Sequence, residues 1–437
     1  MRSLRCAVGA LFLGLFGCTA TIAEGPDAGG AADAGVEAHD AGPGMDAAEA
    51  AEAGAPDLGS AVDAGPNLDA EPSVDLGSPV DAGSPTDAGS PEDAGRTVGM
   101  FVGIGYAGRT TISCDDGQHW VANRSDDENL RCFSSTTTDC DHSSGAGRGV
   151  GWSNGWFIAS FGWGAPTSLR RSDNGVDWTT VVTYPQASFS SIAAAPGRVM
   201  ASARTGRIST DDGLSWSSAA EARLSHNGAT QYNVRRAGFG AGVFLLVADG
   251  PSAAVSADGS AWTLSTIPDA CGHDIQWSGG IAAIGSTLVI LGSDGVPCTS
   301  TDGGQSFSAH PSIGQIPGRL LVSGDGLVAF GNSGAPGYTP QVFRSSDGVD
   351  WTAAPTTLVR AGGGAPVAGP PIGPVAVSPS GVFVAANGGW QEWYERQHFY
   401  RSTDGVNWQE LPAGSFAPSH PMTQMVWGEG RPSAACP

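Results

Sequence analysis

Ser209-Thr210-Asp211-Asp212-Gly213-Leu214-Ser215-Trp216 is the stretch on which the fold is decided. An Asp side chain accepts backbone N–H bonds from residues just downstream, and Gly takes backbone angles that other residues avoid. Trp buries a large ring. In this order they spell a tight turn closed by an aromatic, with the Trp expected to begin the next strand. The pattern recurs as Ser113-Cys114-Asp115-Asp116-Gly117-Gln118-His119-Trp120 and Ser300-Thr301-Asp302-Gly303-Gly304-Gln305-Ser306-Phe307. A form one residue shorter appears as Ser256-Ala257-Asp258-Gly259-Ser260-Ala261-Trp262, as Ser345-Ser346-Asp347-Gly348-Val349-Asp350-Trp351 and as Ser402-Thr403-Asp404-Gly405-Val406-Asn407-Trp408. A seventh copy, Ser172-Asp173-Asn174-Gly175-Val176-Asp177-Trp178, carries Asn174 in the Asp place. The closing aromatics are 58, 38, 46, 45, 44 and 57 residues apart. One copy would mean little, but seven at this period signal a repeat architecture. Ser293-Asp294-Gly295 lacks the aromatic and falls between repeats.

Each repeat divides into four short strands, with the box as the turn between the third and fourth. In blade 3 these are Phe189–Ala195, Arg198–Arg204, Gly206–Ser209 and Leu214–Ser218. In blade 4 they are Tyr232–Gly238, Val243–Ala248, Ala253–Ser256 and Ala261–Ser265. Blade 1 begins at Val98–Tyr106 and has three strands in sequence. Its inner strand is expected at Met422–Gly428, which would close the ring and remove an exposed sheet edge. The chain is therefore expected to be all-β, a seven-bladed β-propeller over residues 97–437. On these boxes it resembles the Asp-box (BNR) propellers, which include bacterial sialidases, sortilin-type receptors, some glycoside hydrolases and photosystem II assembly factors. The resemblance implies a fold shared by unrelated functions. The box residues Asp115, Asn174, Asp211, Asp258, Asp302, Asp347 and Asp404 read as structural turn formers, not as metal ligands or catalysts; no metal and no cofactor is expected.

The N-terminus has another character. Arg2 and Arg5 precede an apolar run from Cys6 to Phe16, too short for a permanent membrane span and shaped like a secretory signal. It ends in Leu15-Phe16-Gly17-Cys18, which resembles the bacterial lipobox, although Phe16 stands where a small residue is commoner. Residues 1–17 are then a lipoprotein signal peptide, and Cys18 is the lipidation site. Acyl chains hold a terminus to a bilayer through burial of their CH₂ groups. Thr19 after the Cys fits an outer-membrane or cell-surface destination. Residues 18–96 form the tether, rich in Ala, Gly, Asp and Pro, with seventeen acids from Glu24 to Asp93 and no aromatic residue. It buries too little apolar area to offset the entropy of ordering, so disorder is expected. As a flexible coil it would reach roughly 50 Å.

The chain of 437 residues has a net charge of −22. From Arg96 onward, 26 acids face 19 Arg, and no Lys occurs anywhere, so most of the acidity belongs to the tether. A mildly acidic propeller has no basic stripe for phosphates, which argues against nucleic acid. A monomer is expected.

Six cysteines follow the signal: Cys114, Cys132, Cys140, Cys271, Cys298 and Cys436. Fifteen pairings are possible. The blade map favours one: Cys132 with Cys140, bracketing one loop; Cys271 with Cys298, on one face of blade 5; and Cys114 with Cys436, locking the ring. An even count in an exported chain fits disulfides.

Propellers bind on loops that join blades or join the second strand to the third. The two longest spacings mark added material at Ala122–Gly147 and in blade 7, at Ala361–Pro371 and the arm Asn387–Tyr400. That arm reads Trp390-Gln391-Glu392-Trp393-Tyr394-Glu395-Arg396-Gln397-His398-Phe399-Tyr400. Trp390, Trp393, Tyr394, Arg396 and, in blade 2, Trp163 are the binding candidates, since aromatics beside polar groups suit sugars or peptides. Packing of these rings onto the rim is the competing reading. Arg148, Arg235 or Arg236, and Arg319 fall on or near inner strands of three blades. Sialidases of this group carry an Arg triad and an Arg-Ile-Pro segment, and the matching region here, Gly108-Arg109-Thr110-Thr111, lacks that segment. No catalytic residue can be singled out. The expected function is a lipid-anchored, non-enzymatic binding or scaffold module of the cell envelope for a protein or glycan partner. A sialidase-like glycoside hydrolase is the alternative.

Overall fold

Turn-bounded apolar runs become hairpins. Val234–Gly240 and Val243–Ala248 pair antiparallel across Ala241-Gly242, whose φ values of 48° and 81° are what a two-residue hairpin loop requires. Such hairpins repeat through the computed structural model. It describes residues 96–436 apart from 106–107, 125–146, 163–166, 186–188, 203–206, 219–223, 227–228, 232–233, 249–251, 273–274, 276–278, 315–318, 325, 333–338, 371, 388–397 and 413–421. The expected signal peptide, Cys18 and the expected tether up to residue 95 therefore lie outside the described residues.

The architecture is an all-β, seven-bladed propeller. Six blades are four-stranded sheets, and in blades 2 to 6 the strands lie in sequence order from the axis outward. The inner strands are Met422–Gly430, Gly147–Ser153, Ser191–Ala195, Val234–Gly240, Gly280–Ile284, Leu320–Ser323 and Ile372–Val377. Each packs beside the next, and the last returns to the first, so the ring is closed. We call the face where inner strands begin the entry face, and the opposite face, which holds the box turns, the exit face.

The closure is made by the C-terminal strand, as the sequence requires. Met422–Gly430 runs antiparallel to Val98–Gly105, from Gly105 opposite Met422 to Val98 opposite Gly430, two residues beyond the expected end. Beyond it the chain is held twice. Arg431 forms an ion pair with Asp173 in the box of blade 2, and its N–H donates to the Asp173 carbonyl at 2.6 Å. Cys436 is then bonded to Cys114 in the box of blade 1. A second disulfide joins Cys271 to Cys298, while Cys132 and Cys140 lie outside the described residues.

Apolar burial is divided among the blade junctions. Phe330 of blade 6 packs with Phe383 and Trp408 of blade 7, and Phe101 and Trp120 of blade 1 pack with Val384 and Phe399 of blade 7. Comparable clusters fill the other five junctions. The box glycines make this contact close. Gly117, Gly175, Gly213, Gly259, Gly304, Gly348 and Gly405 all have positive φ, between 68° and 85°. A Cβ on Gly213 would sit 2.7 Å from Ile158 of blade 2, and one on Gly304 would sit 2.4 Å from Val255 of blade 4. Each box turn thus leans on the blade before it.

Two expectations need correction. The outer strands of blades 3 and 4 start at Ser217 and Thr263, not at Leu214 and Ala261. The aromatic belongs to the turn: Trp216 Nε1 donates to the Gly213 carbonyl at 3.1 Å, which holds the ring back over the box. Only in blade 7 does the box Trp lie inside the strand, Asn407–Glu410. Blade 7 also has six strands rather than four. The chain arriving from blade 6 adds Thr357–Val359 in parallel to Asn407–Glu410, and Val367–Ala368 folds back antiparallel. Thr357 secures this addition, its N–H donating to the Val406 carbonyl at 2.9 Å.

Gly304→Ala should therefore cost more than Gly155→Ala. Both glycines have positive φ, but nothing lies within 4 Å of a Cβ at Gly155. Chemical denaturation should show a loss of about 1–2 kcal/mol at Gly155 and of roughly 2–4 kcal/mol at Gly304, where overpacking adds to the backbone cost. Replacing Cys114 and Cys436 together by Ser should remove roughly 2–5 kcal/mol. A free Cys114 thiol in non-reducing peptide maps would contradict the lock.

Candidate functional site

The box turns repeat one hydrogen-bond network. In blade 6, Ser345 Oγ donates to Asp347 Oδ1 at 3.0 Å and accepts from the Gly348 N–H at 2.7 Å. Asp347 Oδ1 also accepts from the N–H groups of Val349 and Asp350 at 2.8 and 2.9 Å. Trp351 Nε1 closes the turn on the Gly348 carbonyl at 3.0 Å. Asn174 replaces the carboxylate without loss of these bonds, since its Oδ1 accepts from Val176 and Asp177 at 2.9 and 2.8 Å. The longer boxes fit their extra residue by a second left-handed position, at Asp116, Asp212 and Gly303.

These bonds favour the ionised carboxylate. Hydrogen bonds led by the Ser260 and Ser306 hydroxyls hold Asp258 and Asp302 well below the usual carboxylate range. Burial alone would raise Asp211 and Asp404, but the hydrogen bonds outweigh it and both stand at about 2. The acids are spent on their own turns, and among the described residues no cluster of His, Cys, Asp or Glu could hold a metal ion.

The entry face is different. Trp163, Trp390, Trp393, Tyr394 and Arg396 lie outside the described residues, but the strands that flank them are described. Trp156–Phe161 and Phe383–Asn387 both end on the entry face, and Thr167–Ser172 and Phe399–Ser402 start there. The same face carries the arginines. Arg148 is the second residue of the inner strand of blade 2, and Arg319 directly precedes that of blade 6. Arg319 keeps some accessible surface, yet its Nη1 is sealed from water and has no hydrogen-bond partner among the described residues. Burial pushes its guanidinium down to about 10, and repulsion from Arg148 pushes the same way. Blades 2 and 6 stand three steps apart in the ring, so this repulsion crosses the axial channel mouth. Arg235 and Arg236 are separated by function: the ladder skips Arg235, while Arg236 Nε donates to the Ile275 carbonyl at 3.2 Å. Arg109, in the region compared with the sialidases, is buried in blade 1.

One group escaped sequence reasoning. Glu410, almost fully buried at the end of the fourth strand of blade 7, accepts from the Ala361 N–H at 3.1 Å. It pairs with His398 Nδ1 at 2.7 Å and faces Arg360 Nη1 at 3.7 Å. One carboxylate thereby ties the chain entering blade 7 to the foot of the aromatic arm. The only sequence signal was a Glu alternating with Trp408 in a strand, which many outer strands show.

No family model matches the chain, and no curated protein matches it by sequence. Solved structures resemble it in fold. YCF48 bound to D1 peptide is 16% identical, with a TM-score of 0.40 over 60% of this chain and 80% of that one. The GH74 enzyme of Niastella koreensis is 19% identical, with a TM-score of 0.42 over 69% of this chain and 42% of that one. A protein from Lactobacillus plantarum is 9% identical, with a TM-score of 0.48 over 76% of this chain and all of its own. These are likenesses of fold alone.

The lowered box carboxylates set an acid limit. Their folded pKa values lie below the unfolded value of 3.8, so their contribution is complete above about pH 4 and is lost as pH falls through about 2. The melting temperature should be flat above pH 4 and should drop between pH 4 and 2. Asp211→Asn should make that drop shallower, as read by calorimetry; an unchanged slope would contradict the assignment.

Proposed function

We propose that the chain is a lipid-anchored Asp-box propeller of the cell envelope, acting as a non-enzymatic binding or scaffold module. It would take an anionic group of a protein or glycan partner at the entry-face mouth of the channel. The carrying observation is Arg319, whose Nη1 is buried without a partner while Arg148 repels it across the axis. An unsatisfied buried donor costs roughly 1–3 kcal/mol, more when charged. A carboxylate bound at the part of the guanidinium that keeps accessible surface would offset the repulsion, and Arg presents a fork that suits it. Support for the anchor is sequence alone: the apolar run ending at Cys18 and the acidic tether that follows. On this reading the tether holds the propeller at a distance from the bilayer.

The full chain in detergent should bind acidic glycans, or peptides ending in a free carboxylate, on arrays. Arg319→Gln should weaken this binding about ten-fold or more. Trp390→Ala with Trp393→Ala tests the arm in the same format. Cys18→Ser should release the protein from the membrane fraction. Turnover of fluorogenic sialosides by the purified chain would overturn the non-enzymatic reading.

A further inference from the structure

The exit face contains its own comparison. At the junction of blades 2 and 3, the second acid of the longer box reaches back to the preceding blade. Asp212 Oδ1 accepts from Ser153 Oγ at 2.6 Å, and Ser153 Oγ also accepts from the Gly197 N–H at 3.0 Å. The first hairpin turn of blade 2 is thus sewn to blade 3. Asp116 holds the same place in the box of blade 1, with the same left-handed backbone, φ 56° against 55°. The preceding blade is here blade 7, whose first hairpin turn offers Ser378 and Ser380. Those hydroxyls bond each other at 2.7 Å instead. Between them and Asp116 lies a cleft of about 630 Å³, within the usual range of ligand pockets.

The cleft is polar on two sides and aromatic on a third. Its lining includes Asp116, Glu429 and the half-buried Trp427. The indole lies against the backbone of Gly99, where a Cβ would come within 2.8 Å of the ring, so Trp427 occupies space that any other residue at 99 would claim. Asp115 also lines the cleft, but its Oδ1 is taken by Ser113 and by the Gln118 and His119 N–H groups. Among the described residues the Asp116 carboxylate makes no such bond, and Glu429 accepts a long one from Thr97 at 3.4 Å. One carboxylate without a hydrogen bond and one held only by Thr97, beside an indole, are the partners of a cation with an apolar stem.

We propose that this cleft binds an arginine or lysine side chain of a partner protein. The stem would lie on the Trp427 ring and the charge between Asp116 and Glu429. This site stands on the opposite face from the anion site and does not depend on it.

Saturation-transfer NMR on the full chain in detergent tests it, with acetyl-Gly-Arg-Gly-amide as probe and the uncharged acetyl-Gly-Gln-Gly-amide as comparison. Irradiation of the protein's aromatic protons should reach the Arg methylenes and leave the Gln peptide silent. The transfer should fall about five-fold or more in Asp116→Asn with Glu429→Gln, and in Trp427→Leu. The double charge variant changes exposed groups, so its melting temperature should be unchanged, which keeps the result readable if Trp427→Leu fails to fold. Undiminished transfer in that variant would mean that tether or box acids hold the cation, and would overturn the proposal. Equal transfer to both peptides would overturn it as well.

Discussion

A box glycine at positive φ, bare of side chain, lets each turn rest against the blade before it. Gly213 rests on Ile158, Gly259 on Ile208, Gly304 on Val255 and Gly348 on Val289. The backbone angle and the missing Cβ are two separate demands met by one residue. Asp or Asn could tolerate the angle, as Asp116 and Asp212 do in the same turns. Neither could tolerate the neighbour. Blade spacing on the exit face therefore depends on glycine.

The remaining box residues serve that position. The Ser hydroxyl and the Asp carboxylate saturate the N–H groups that the sharp turn leaves pointing inward. Each such bond is worth on the order of 1 kcal/mol net. The aromatic supplies more. Burial of an indole removes roughly 150–250 Å² from water, on the order of 4–6 kcal/mol before ordering entropy. Trp408 and Trp120 are almost fully buried, and Trp120 meets Phe399 of the preceding blade with ring centroids 4.6 Å apart. Hydrogen bonds shape the turn, and ring burial joins it to the blade before it.

The two faces are consequently unequal. On the exit face most polar groups are consumed by the boxes. Arginines just before the box Ser extend this pattern: Arg401 Nε donates to the Asp116 carbonyl at 2.7 Å, and Arg344 reaches the Asp404 carbonyl in the same way. The blade 7–blade 1 junction is where a chain end was brought in to close the ring, and there one such seam stays open. On the entry face, Arg319 has an unmet demand among the described residues. Free variation is possible where the repeat imposes no geometry.

Much of the fold was legible because the repeat is local. Seven boxes counted seven blades, the short first blade called for a strand from the far end, and the blade map placed Cys114 near Cys436 and Cys271 near Cys298. The outer-strand starts were misplaced because a Trp that folds back over its own turn and one that begins a strand have the same neighbours in sequence. The fifth strand of blade 7 was invisible for a related reason. Thr357–Val359 pairs in parallel with residues fifty positions away, and such pairing leaves no turn signature. The site was less legible still. Trp390, Trp393 and their neighbours announced themselves by composition, whereas the buried hub at Glu410 and the open seam at Asp116 depend on which groups tertiary packing leaves paired. The sequence by itself determined the number of blades and the turn chemistry, since these follow from residues within one repeat, and the ring closure, since a first blade one strand short needs a strand from the far end. Tertiary structure alone decided that Arg319 and Arg148 oppose each other across the axis and that Asp116 lacks the bond made by Asp212, because charge pairing between blades depends on distances that no single repeat encodes.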